Sequence, residues 1–586
     1  MTRAARIVPD VPSFAVDRGF WYSIPEHLEA DLVVGSIVRV PLSGRRVRGW
    51  VVEIGSHDMA RLKDVAAISG SLPVFDAEMF RALEWAAAHY VAPLSSLLTK
   101  ASPPNLPKST TGLRAPAGVS STHPMAGLAA RAAMGRKAPT TALIGNWRSL
   151  DWVEALSPTL SAGRSVVVVV ATVAEVRLVT EAARSIRGLV GAVSGEDDAE
   201  DTRAWEKAQT APCMLIGTPR VAGWHVADLG LAVVLEESRR AMKDRQTPTV
   251  HVRELITVRS RIEGFNVVFF GPTPSVELLS AGADIIRTGN RAWPLVEIID
   301  RSEDRPGAGF LSDRAFQAIA RKVKSGGRVF VYTHRRAGSS AMRCSRCRTL
   351  RVCSGCGRRL GRVSECPSCG TTVGPCSNCG STEFEELGTV PERLVAEMNR
   401  RAGSVIGGVH PSDSPVTVGT ERDLSGLEVV DLAVAADVDG MLLGSGYRTT
   451  EDALRQLGRL ALAVGSGRGA RLILQTARPD SLLVTTMRRG DPMPYLERVL
   501  VERAREGVPP SVEMIAIEIR DTQPDSVGSD LSELDADVMG PVPIENGRRW
   551  LITGDLGAVR PRLREMVGRW RDNGATVRVD VDPIDI

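Results

Sequence analysis

Short apolar runs separated by helical stretches dominate the middle of the chain. Between residues 138 and 300 they predict strands at residues 141–145, 165–170, 214–217, 231–235 and 266–270. A second set of predicted strands lies at residues 328–332, 405–409, 416–419, 431–435 and 472–475. Fully apolar runs of this kind suit parallel strands covered on both faces. The pattern therefore predicts two α/β lobes in tandem.

The two ends of the chain alternate apolar and polar residues instead. Residues 34–41 and 48–55 predict antiparallel strands of a small β-barrel or sheet, and residues 74–90 predict an amphipathic helix. Residues 103–125 are rich in Pro, Ser, Thr and Gly and predict a linker. The C-terminal tail reads as βαβ-like, with elements at residues 514–519, 548–554, 559–573 and 576–581.

Composition narrows the class of protein. With 586 residues, 43% hydrophobic and 24% charged, the chain is neither collagen-like nor disordered. Its longest apolar run, about residues 166–171, is far short of the roughly 18–20 residues that span a bilayer. Residues 1–14 lack the apolar core of a signal peptide, so we expect a cytoplasmic protein.

The basic residues are mostly arginine, 65 of the 73, while the net charge is only +4. Arginine binds phosphate bidentately and stacks on rings. A GC-rich genome produces the same excess, so composition alone does not show nucleic-acid binding.

Eight of the nine cysteines lie within 36 residues and form four consecutive Cys-x-x-Cys pairs. They are Cys344, Cys347, Cys353, Cys356, Cys366, Cys369, Cys376 and Cys379. Two such turns supply the four thiolates of a tetrahedral zinc site, so the spacing predicts two closed, structural zinc sites rather than disulfides. An iron–sulfur centre or a redox motif is the alternative, and spacing alone leaves three pairings of the turns open. The lone Cys213 reads as a small buried residue.

The same segment is rich in arginine. Seven arginines accompany the cysteines, with Glu365 as the single acid: Arg343, Arg346, Arg348, Arg351, Arg358, Arg359 and Arg362. They either offset the formal negative charge of two Zn(Cys)₄ centres or leave a cationic surface for phosphate.

Tandem α/β lobes suggest a helicase motor, which needs particular side chains. A phosphate-binding loop needs glycines, a Lys for the β/γ-phosphates and a Ser or Thr for Mg²⁺. The sequence has no Gly-Lys dipeptide, and Trp147 stands where the loop after Gly145 should be bare. Leu235, followed by Glu236 and Glu237, occupies the position of a Mg²⁺-binding Asp. On this chemistry the chain is a poor ATPase.

At several points the residues match a known family. Segments that carry the likeness, in family order, are residues 20–25, 35–41, 249–255, 333–336, 437–440, 448–451, 540–543, 547–550 and 579–584, together with the eight-cysteine insert. Along nearly its whole length the chain resembles bacterial primosomal protein N′ (PriA), the replication-restart family, in its actinobacterial branch.

The resemblance implies an α/β multidomain fold with two tandem RecA-like helicase lobes. It divides the chain into an N-terminal β-rich domain that binds DNA 3′ ends (1–104), a linker (105–137), a degenerate ATPase lobe 1 (138–300), a lobe 2 (301–510) with a double-zinc insert (343–382), and a C-terminal α+β domain (511–586).

The family also implies a nested pairing of the zinc ligands. One zinc takes Cys344, Cys347, Cys376 and Cys379. The other takes Cys353, Cys356, Cys366 and Cys369.

The residues that bind a 3′ end in the family fall on Phe20, Trp21 and Lys63. Phe20 would stack on the terminal base and Lys63 would meet phosphate, whereas Trp21 replaces an Asp that accepts a hydrogen bond from the 3′-hydroxyl. The alternative is that the aromatic residues 20–22 belong to the core of the barrel.

Three of the family's motifs for ATP binding and hydrolysis are altered in this sequence. The Walker A motif is absent around residues 145–150, residues 235–238 read Leu-Glu-Glu-Ser instead of Asp-Glu-Glu-His, and Leu462 and Gly465 replace two arginines of a Gly-Arg-Ala-Gly-Arg motif. A winged-helix domain is also missing after the N-terminal domain. We therefore expect no catalytic or nucleotide-binding residues.

The resulting hypothesis is a replication-restart protein without ATP-driven unwinding. It binds stalled or branched forks and D-loops as a monomer in the nucleoid, and nucleates a primosome with other primosome proteins, the replicative helicase and single-stranded DNA-binding protein. The alternatives are an active 3′→5′ helicase with unusual nucleotide contacts and, more weakly, a metal-stabilised adaptor without a DNA role.

Overall fold

A computed structural model describes residues 2–57, 62–106, 121–183, 190–304, 309–334, 341–347, 349–355, 357, 359–361, 363–366, 370–387, 391–409, 414–444, 446–465, 469–520, 526–544 and 546–584. Within these ranges no helix combines the length and the apolar character that crossing a bilayer requires.

The N-terminal domain is an antiparallel sheet backed by two helices. Its elements are β1 (Thr2–Pro9), β2 (Phe20–Ser23), β3 (Ile37–Leu42), β4 (Arg45–His57), β5 (Ala67–Ile68), α1 (Ala77–His89) and α2 (Leu94–Ala101). The strand order is β2-β1-β4-β3-β5. Helix α1 begins at Ala77 rather than at the predicted residue 74, because the Asp76 carboxylate accepts the Met79 N–H at 2.8 Å and caps the helix.

Lobe 1 is a parallel sheet with helices on both faces, as predicted. Its elements are α3 (Pro124–Ala133), β6 (Thr141–Ile144), α4 (Asp151–Glu154), α5 (Ser157–Ser161), β7 (Ser165–Val169), α6 (Val173–Ala182), β8 (Val190–Val193), α7 (Asp198–Thr210), β9 (Met214–Gly217), β10 (Leu229–Leu235), α8 (Val252–Glu263), β11 (Asn266–Gly271), α9 (Val276–Ser280) and β12 (Asp284–Arg287). The seven strands run in the order β12-β6-β11-β10-β7-β9-β8. Helix α3 lies in the segment predicted to be a linker, and Met125 and Leu128 pack it into the core of lobe 1.

Lobe 2 contains a second parallel sheet and a small inserted β-pair. Its elements are β13 (Val296–Asp300), α10 (Asp313–Lys324), β14 (Val329–Tyr332), the inserted β15 (Ala341–Cys344) and β16 (Phe384–Leu387), α11 (Pro391–Ala402), β17 (Gly407–Gly408), β18 (Val416–Gly419), β19 (Leu432–Ala435), α12 (Thr449–Leu462), β20 (Arg471–Thr476), α13 (Leu482–Arg489) and α14 (Met493–Glu506). The order of the main sheet is β13-β20-β19-β14-β18-β17. The strand predicted at 405–409 shrinks to two residues, and Val405 is 81% exposed.

The C-terminal domain corrects the βαβ-like prediction. Its elements are β21 (Glu513–Arg520), α15 (Val527–Ser532), β22 (Asp537–Ile544), β23 (Gly547–Gly554), α16 (Val559–Asp572) and β24 (Thr576–Val581). The sheet is antiparallel, in the order β22-β23-β21-β24. Strand β22 was not predicted because Gly540, Pro541 and Pro543 weaken its pattern. Proline is tolerated there because β22 is an edge strand.

Polar contacts join the C-terminal domain to the rest of the molecule. Lys243 of lobe 1 donates to the Asp580 carboxylate at 2.6 Å, and both side chains are buried. Arg560 on α16 donates to the carbonyl of His89, at the end of α1, at 3.1 Å. The N-terminal domain, lobe 1 and the C-terminal domain therefore meet near His89.

His89 predicts a loss of stability in mild acid. Burial, followed by the neighbouring Arg560 guanidinium, lowers its pKa from 6.5 to about 4. Because the unfolded chain then binds a proton that the folded chain does not, stability is lost as the pH falls through 6.5 towards 4. Between pH 7 and pH 5 this loss is about 2 kcal/mol.

His89→Phe should remove this part of the pH dependence, since a phenyl ring preserves the stacking of His89 on Trp85 at 4.6 Å. Denaturant titrations at pH 7 and pH 5 measure the difference. His27→Gln, at an exposed position, serves as the control and should retain the wild-type pH dependence. The same slope in wild type and His89→Phe would refute the assignment.

Candidate nucleotide cleft, metal cluster and DNA-binding domain

The turn after β6 lies where a nucleotide-binding loop is expected. The Gly145 N–H donates to the Gly271 carbonyl at 3.0 Å. The Leu150 N–H donates to the Trp147 carbonyl at 3.2 Å. Thr288 covers Gly145 closely, because a Cβ added to the glycine would lie 1.9 Å from Thr288 Oγ1. These amides are therefore engaged within the protein and are not free to cradle a phosphate.

Two tryptophans fix the same turn. Trp147 is buried in the 3₁₀ helix Trp147–Ser149. Its carbonyl accepts the Trp152 indole N–H at 2.7 Å, and Trp152 packs edge-on against Phe270 with ring centroids 5.9 Å apart. The volume that a bare glycine loop would leave for phosphates is thus filled by aromatic side chains.

The end of β10 carries the two glutamates of the altered acidic motif. Leu235 is buried in the core of lobe 1. The Glu237 carboxylate accepts the Ser275 N–H at 2.8 Å and pairs with Arg253 at 3.2 Å. Beside Glu236 and Glu237 lies a cavity of about 10 Å³, which holds no more than about one water molecule. A Mg²⁺–triphosphate does not fit this space.

A buried ion-pair network spans the lobes at this point. We call it the interlobe cluster, and its members are Glu175, Glu236 and Arg239 of lobe 1 with Glu421, Arg455 and Arg459 of lobe 2.

Arg459 is the central member of the interlobe cluster. It contacts Glu236 across the lobe boundary at 3.0 Å and Glu421 within its own lobe at 2.9 Å. On the other side of the boundary, Arg239 pairs with Glu175 at 2.6 Å and with Glu236 at 3.2 Å. Three carboxylates thus meet three guanidiniums.

Two carboxylates of the interlobe cluster, Glu421 and Glu175, have lowered pKa values. Burial raises the pKa of Glu421, but the adjacent Arg455 and Arg459 outweigh burial and leave the pKa well below its ordinary value. Glu175 follows the same pattern, with Arg239 and Arg459 lowering its pKa against burial. A buried set of charges is stable only when each member keeps its partners.

Hydrogen bonds to the 424–427 segment reinforce the contact between the lobes. Ser425 Oγ accepts from Arg239 at 3.0 Å and from Arg459 at 3.3 Å. Arg148, in the turn after β6, donates to the Leu424 carbonyl at 3.2 Å. The residue that follows Trp147 therefore reaches lobe 2 instead of a nucleotide.

A second interlobe cluster lies beyond the first. It consists of Arg253 and Glu277 of lobe 1 with Arg448, Glu451 and Arg503 of lobe 2. Glu277 lies 3.1 Å from Arg503 and 3.7 Å from Arg253, and it also pairs with Arg448. Arg503 in turn pairs with Glu451. Ion pairs therefore join the two lobes at both clusters, and Arg287 of lobe 1 forms a further, more exposed pair with Asp491 of lobe 2 at 3.0 Å.

Sequence reasoning did not find these clusters. The available signal was the spacing of Arg455 and Arg459, four residues apart on one face of α12. The altered position Leu462 lies at the end of the same helix and is buried in the core of lobe 1.

Four of the eight predicted metal ligands converge. The Sγ atoms of Cys344, Cys347, Cys376 and Cys379 all lie within 4.8 Å of one another, with 3.4 Å between Cys344 and Cys379 and 3.5 Å between Cys347 and Cys376. Cys344 is the last residue of β15 and Cys347 follows the strand, whereas the second pair comes from the turn before β16. This all-thiolate set fits a tetrahedral metal ion.

The other predicted ligand set is partly described. Cys353 and Cys366 are buried together with Leu360 in one small apolar cluster. Cys356 and Cys369 lie outside the described residues. Of the segment's arginines, Arg351 lies over the Phe384 ring at 4.6 Å and donates to the Gly361 carbonyl at 2.8 Å, so it supports the insert itself.

The aromatic residues on β2 divide between the two faces of the N-terminal sheet. Tyr22 is buried, and Phe20, on the same face, is 41% exposed. Trp21 points to the opposite face, over Gly55. Lys63 is exposed at the far end of β2, where its carbonyl accepts the Ser23 N–H at 3.0 Å. Phe20 is thus available for stacking, whereas Trp21 does not share its face.

Two parallel α/β lobes, an inserted cysteine cluster and a β-rich N-terminal domain define a protein of helicase-like architecture. A family model described as the PriA 3′ DNA-binding domain matches residues 6–103. The family resemblance in the sequence is thereby confirmed: the N-terminal domain matches the family's 3′ DNA-binding domain, and the relatives below carry the same family name.

Relatives extend the match over the whole chain. The probable replication restart protein PriA of Mycobacterium leprae is 26% identical, with 97% of this chain and 99% of the relative aligned. The replication restart protein PriA of Haemophilus influenzae is 23% identical over 66% of this chain and 61% of its own length. That of Thermotoga maritima is 24% identical over 65% and 58%.

Proposed function

We propose that this protein acts in replication restart as a fork-binding platform that does not use ATP to unwind DNA. The observation that carries the proposal is the interlobe cluster. In helicase-like proteins a nucleotide bridges the lobes, whereas here Glu236 and Arg459 contact each other directly. The engaged amides of the turn after β6 and the small cavity beside Glu236 and Glu237 support a cleft that does not bind a triphosphate.

The N-terminal domain supports a role in DNA binding. The N-terminal domain carries the family's 3′ DNA-binding match, and Phe20 and Lys63 are exposed on it. We propose that the protein binds forks and D-loops as a monomer at the nucleoid. In this proposal it recruits other primosome proteins, the replicative helicase and single-stranded DNA-binding protein. We also propose that its domains have the boundaries predicted from the sequence.

The cysteine insert supports two structural zinc ions. The converging thiolates at Cys344, Cys347, Cys376 and Cys379 would hold one ion, and Cys353 and Cys366, with Cys356 and Cys369, would hold the other. Each site uses four thiolates and leaves no position for water, so the metal would pin the insert and carry no catalysis.

Purified protein should show no DNA-stimulated ATP hydrolysis. The assay measures phosphate release with Mg²⁺ and ATP, with and without forked DNA, beside a titration of the same fork that confirms binding. A working helicase turns over at roughly 1 s⁻¹ or faster. Fork-stimulated turnover of that size, together with strand separation, would replace the platform with an active 3′→5′ helicase.

A further inference from the structure

A large pocket lies between the N-terminal domain and lobe 1, away from the interlobe cleft. Its volume is about 550 Å³, within the range of roughly 300–1,000 Å³ that is typical of ligand pockets. Leu83 and Leu97 of the N-terminal helices form one wall, and Leu255 of α8 forms another. Pro104 and Pro219 contribute flat apolar edges.

Three cations line this pocket. Arg48 pairs with Asp10 at 3.0 Å, Lys100 with Asp244 at 2.9 Å, and Arg220 with Asp201 at 3.3 Å. These pairs leave the pocket close to neutral. The electrostatic potential in the pocket therefore depends on the charged residues that lie beside it.

The hairpin of β3 and β4 supplies an excess of positive charge beside the pocket. In the strand register Arg39 lies opposite Arg48, and Pro41 lies opposite Arg46, so the three arginines share the face that Arg48 presents to the pocket. Arg39 and Arg46 are exposed, and in the described part of the chain neither forms an ion pair. Like charges directly opposite each other destabilise a sheet, which favours an anionic ligand at this face.

We propose that this pocket binds an unpaired nucleotide of DNA, with its base between the leucine and proline walls and its backbone phosphates on Arg39, Arg46 and Arg48. The apolar interior suits an unstacked base, and the arginine face suits phosphates. A base pair still stacked in a duplex cannot enter, so the ligand is single-stranded.

The site is separate from the predicted 3′-end contacts. Phe20 lies with Ile7 and Tyr22 on one face of the N-terminal sheet, whereas Arg48 lies with Trp50 on the other. The Trp50 indole N–H donates to Ser102 Oγ at 3.0 Å, at the wall of the pocket. When a fork binds, one strand would contact the predicted 3′-end site, and a second, unpaired strand would enter this pocket. This inference rests on the fork binding in the proposed function.

Thr99→Trp tests the pocket, because Thr99 is an exposed lining residue and an indole there blocks the space while every cation remains. Fluorescence anisotropy with the full-length protein would compare a fork that has one single-stranded arm with a fork whose arms are all duplex. Base stacking is worth about 1–3 kcal/mol, so Thr99→Trp should weaken binding of the first fork by about 5-fold to 150-fold. Binding of the all-duplex fork should not change.

Thr99→Val leaves the pocket open and should bind both forks as the wild type does. Arg39→Gln combined with Arg46→Gln should reduce the slope of log K against log salt by about 1.4 for the fork with a single-stranded arm. The matched control is Arg177→Gln with Arg498→Gln, two exposed arginines elsewhere, which should leave the slope unchanged.

The pocket assignment is overturned if Thr99→Trp binds both forks as tightly as wild type or weakens both equally. Either result leaves fork binding by the wild-type protein, and thus the proposed function, intact. Failure of the wild-type protein to bind either fork would instead remove the proposed function.

Discussion

Arg459→Ala should lower the free energy of unfolding by about 3–5 kcal/mol, the cost of breaking a buried ion pair by removing one partner. The substitution leaves the buried Glu236 and the half-buried Glu421 without their shared guanidinium. Since Arg459 contacts both lobes, the loss should appear in the unfolding transition that they share. A denaturant titration followed by tryptophan fluorescence measures it.

Arg498→Ala is the matched control. Arg498 pairs with Glu502 on the exposed face of α14, and exposed pairs contribute about 0–1 kcal/mol. Adding Glu421→Gln to Arg459→Ala should recover part of the lost stability, because one of the stranded carboxylates becomes neutral. Equal stability of the Arg459→Ala and Arg498→Ala proteins would show that the interlobe cluster does not hold the lobes together.

Cys376→Ser should remove one of the two proposed zinc ions per chain and unfold part of the insert. Structural zinc contributes about 10–16 kcal/mol to the folding of small metal-bound units, so three thiolates are a poor substitute for four. Mass spectrometry of the metal content should show a decrease from about two ions to about one. The two lobes should keep their unfolding transition, because their cores do not include the insert.

Cys213→Ala controls for the loss of a thiol. Cys213 is fully buried in lobe 1, and burial raises its pKa to about 12, so it is an apolar core residue rather than a ligand. This variant should retain two zinc ions. A Cys376→Ser protein with an undiminished metal content would contradict the four-thiolate assignment.

Local pattern predicts much of this architecture. Apolar runs such as Ser165–Val169 specify buried parallel strands, because each of their side chains is buried on one face or the other. That the chain lacks nucleotide-binding residues stays a prediction, based on the missing Gly-Lys dipeptide and on Leu235 in place of an Asp. The grouping of Cys344 and Cys347 with Cys376 and Cys379 was implied by the family resemblance.

Long-range charge pairing was not predictable from the sequence. Glu236 and Arg459 are 223 residues apart, and nothing in either local pattern indicates the other. The spacing of Arg455 and Arg459 places both on one face of α12, but charged residues on a helix are usually solvated, so this spacing alone does not indicate burial. The pocket between the N-terminal domain and lobe 1 could not be predicted either, because its lining residues Arg48 and Arg220 come close only when the two domains pack together.

The central claim is that ion pairs, and not a nucleotide, hold the lobes closed. Electron paramagnetic resonance distances between spin labels at Arg177 of lobe 1 and Arg498 of lobe 2, introduced as unnatural amino acids, test it directly. The distance distribution should be single and unchanged by Mg²⁺–ATP, a non-hydrolysable analogue or forked DNA. A broad distribution that narrows or shifts when nucleotide is added would contradict the claim.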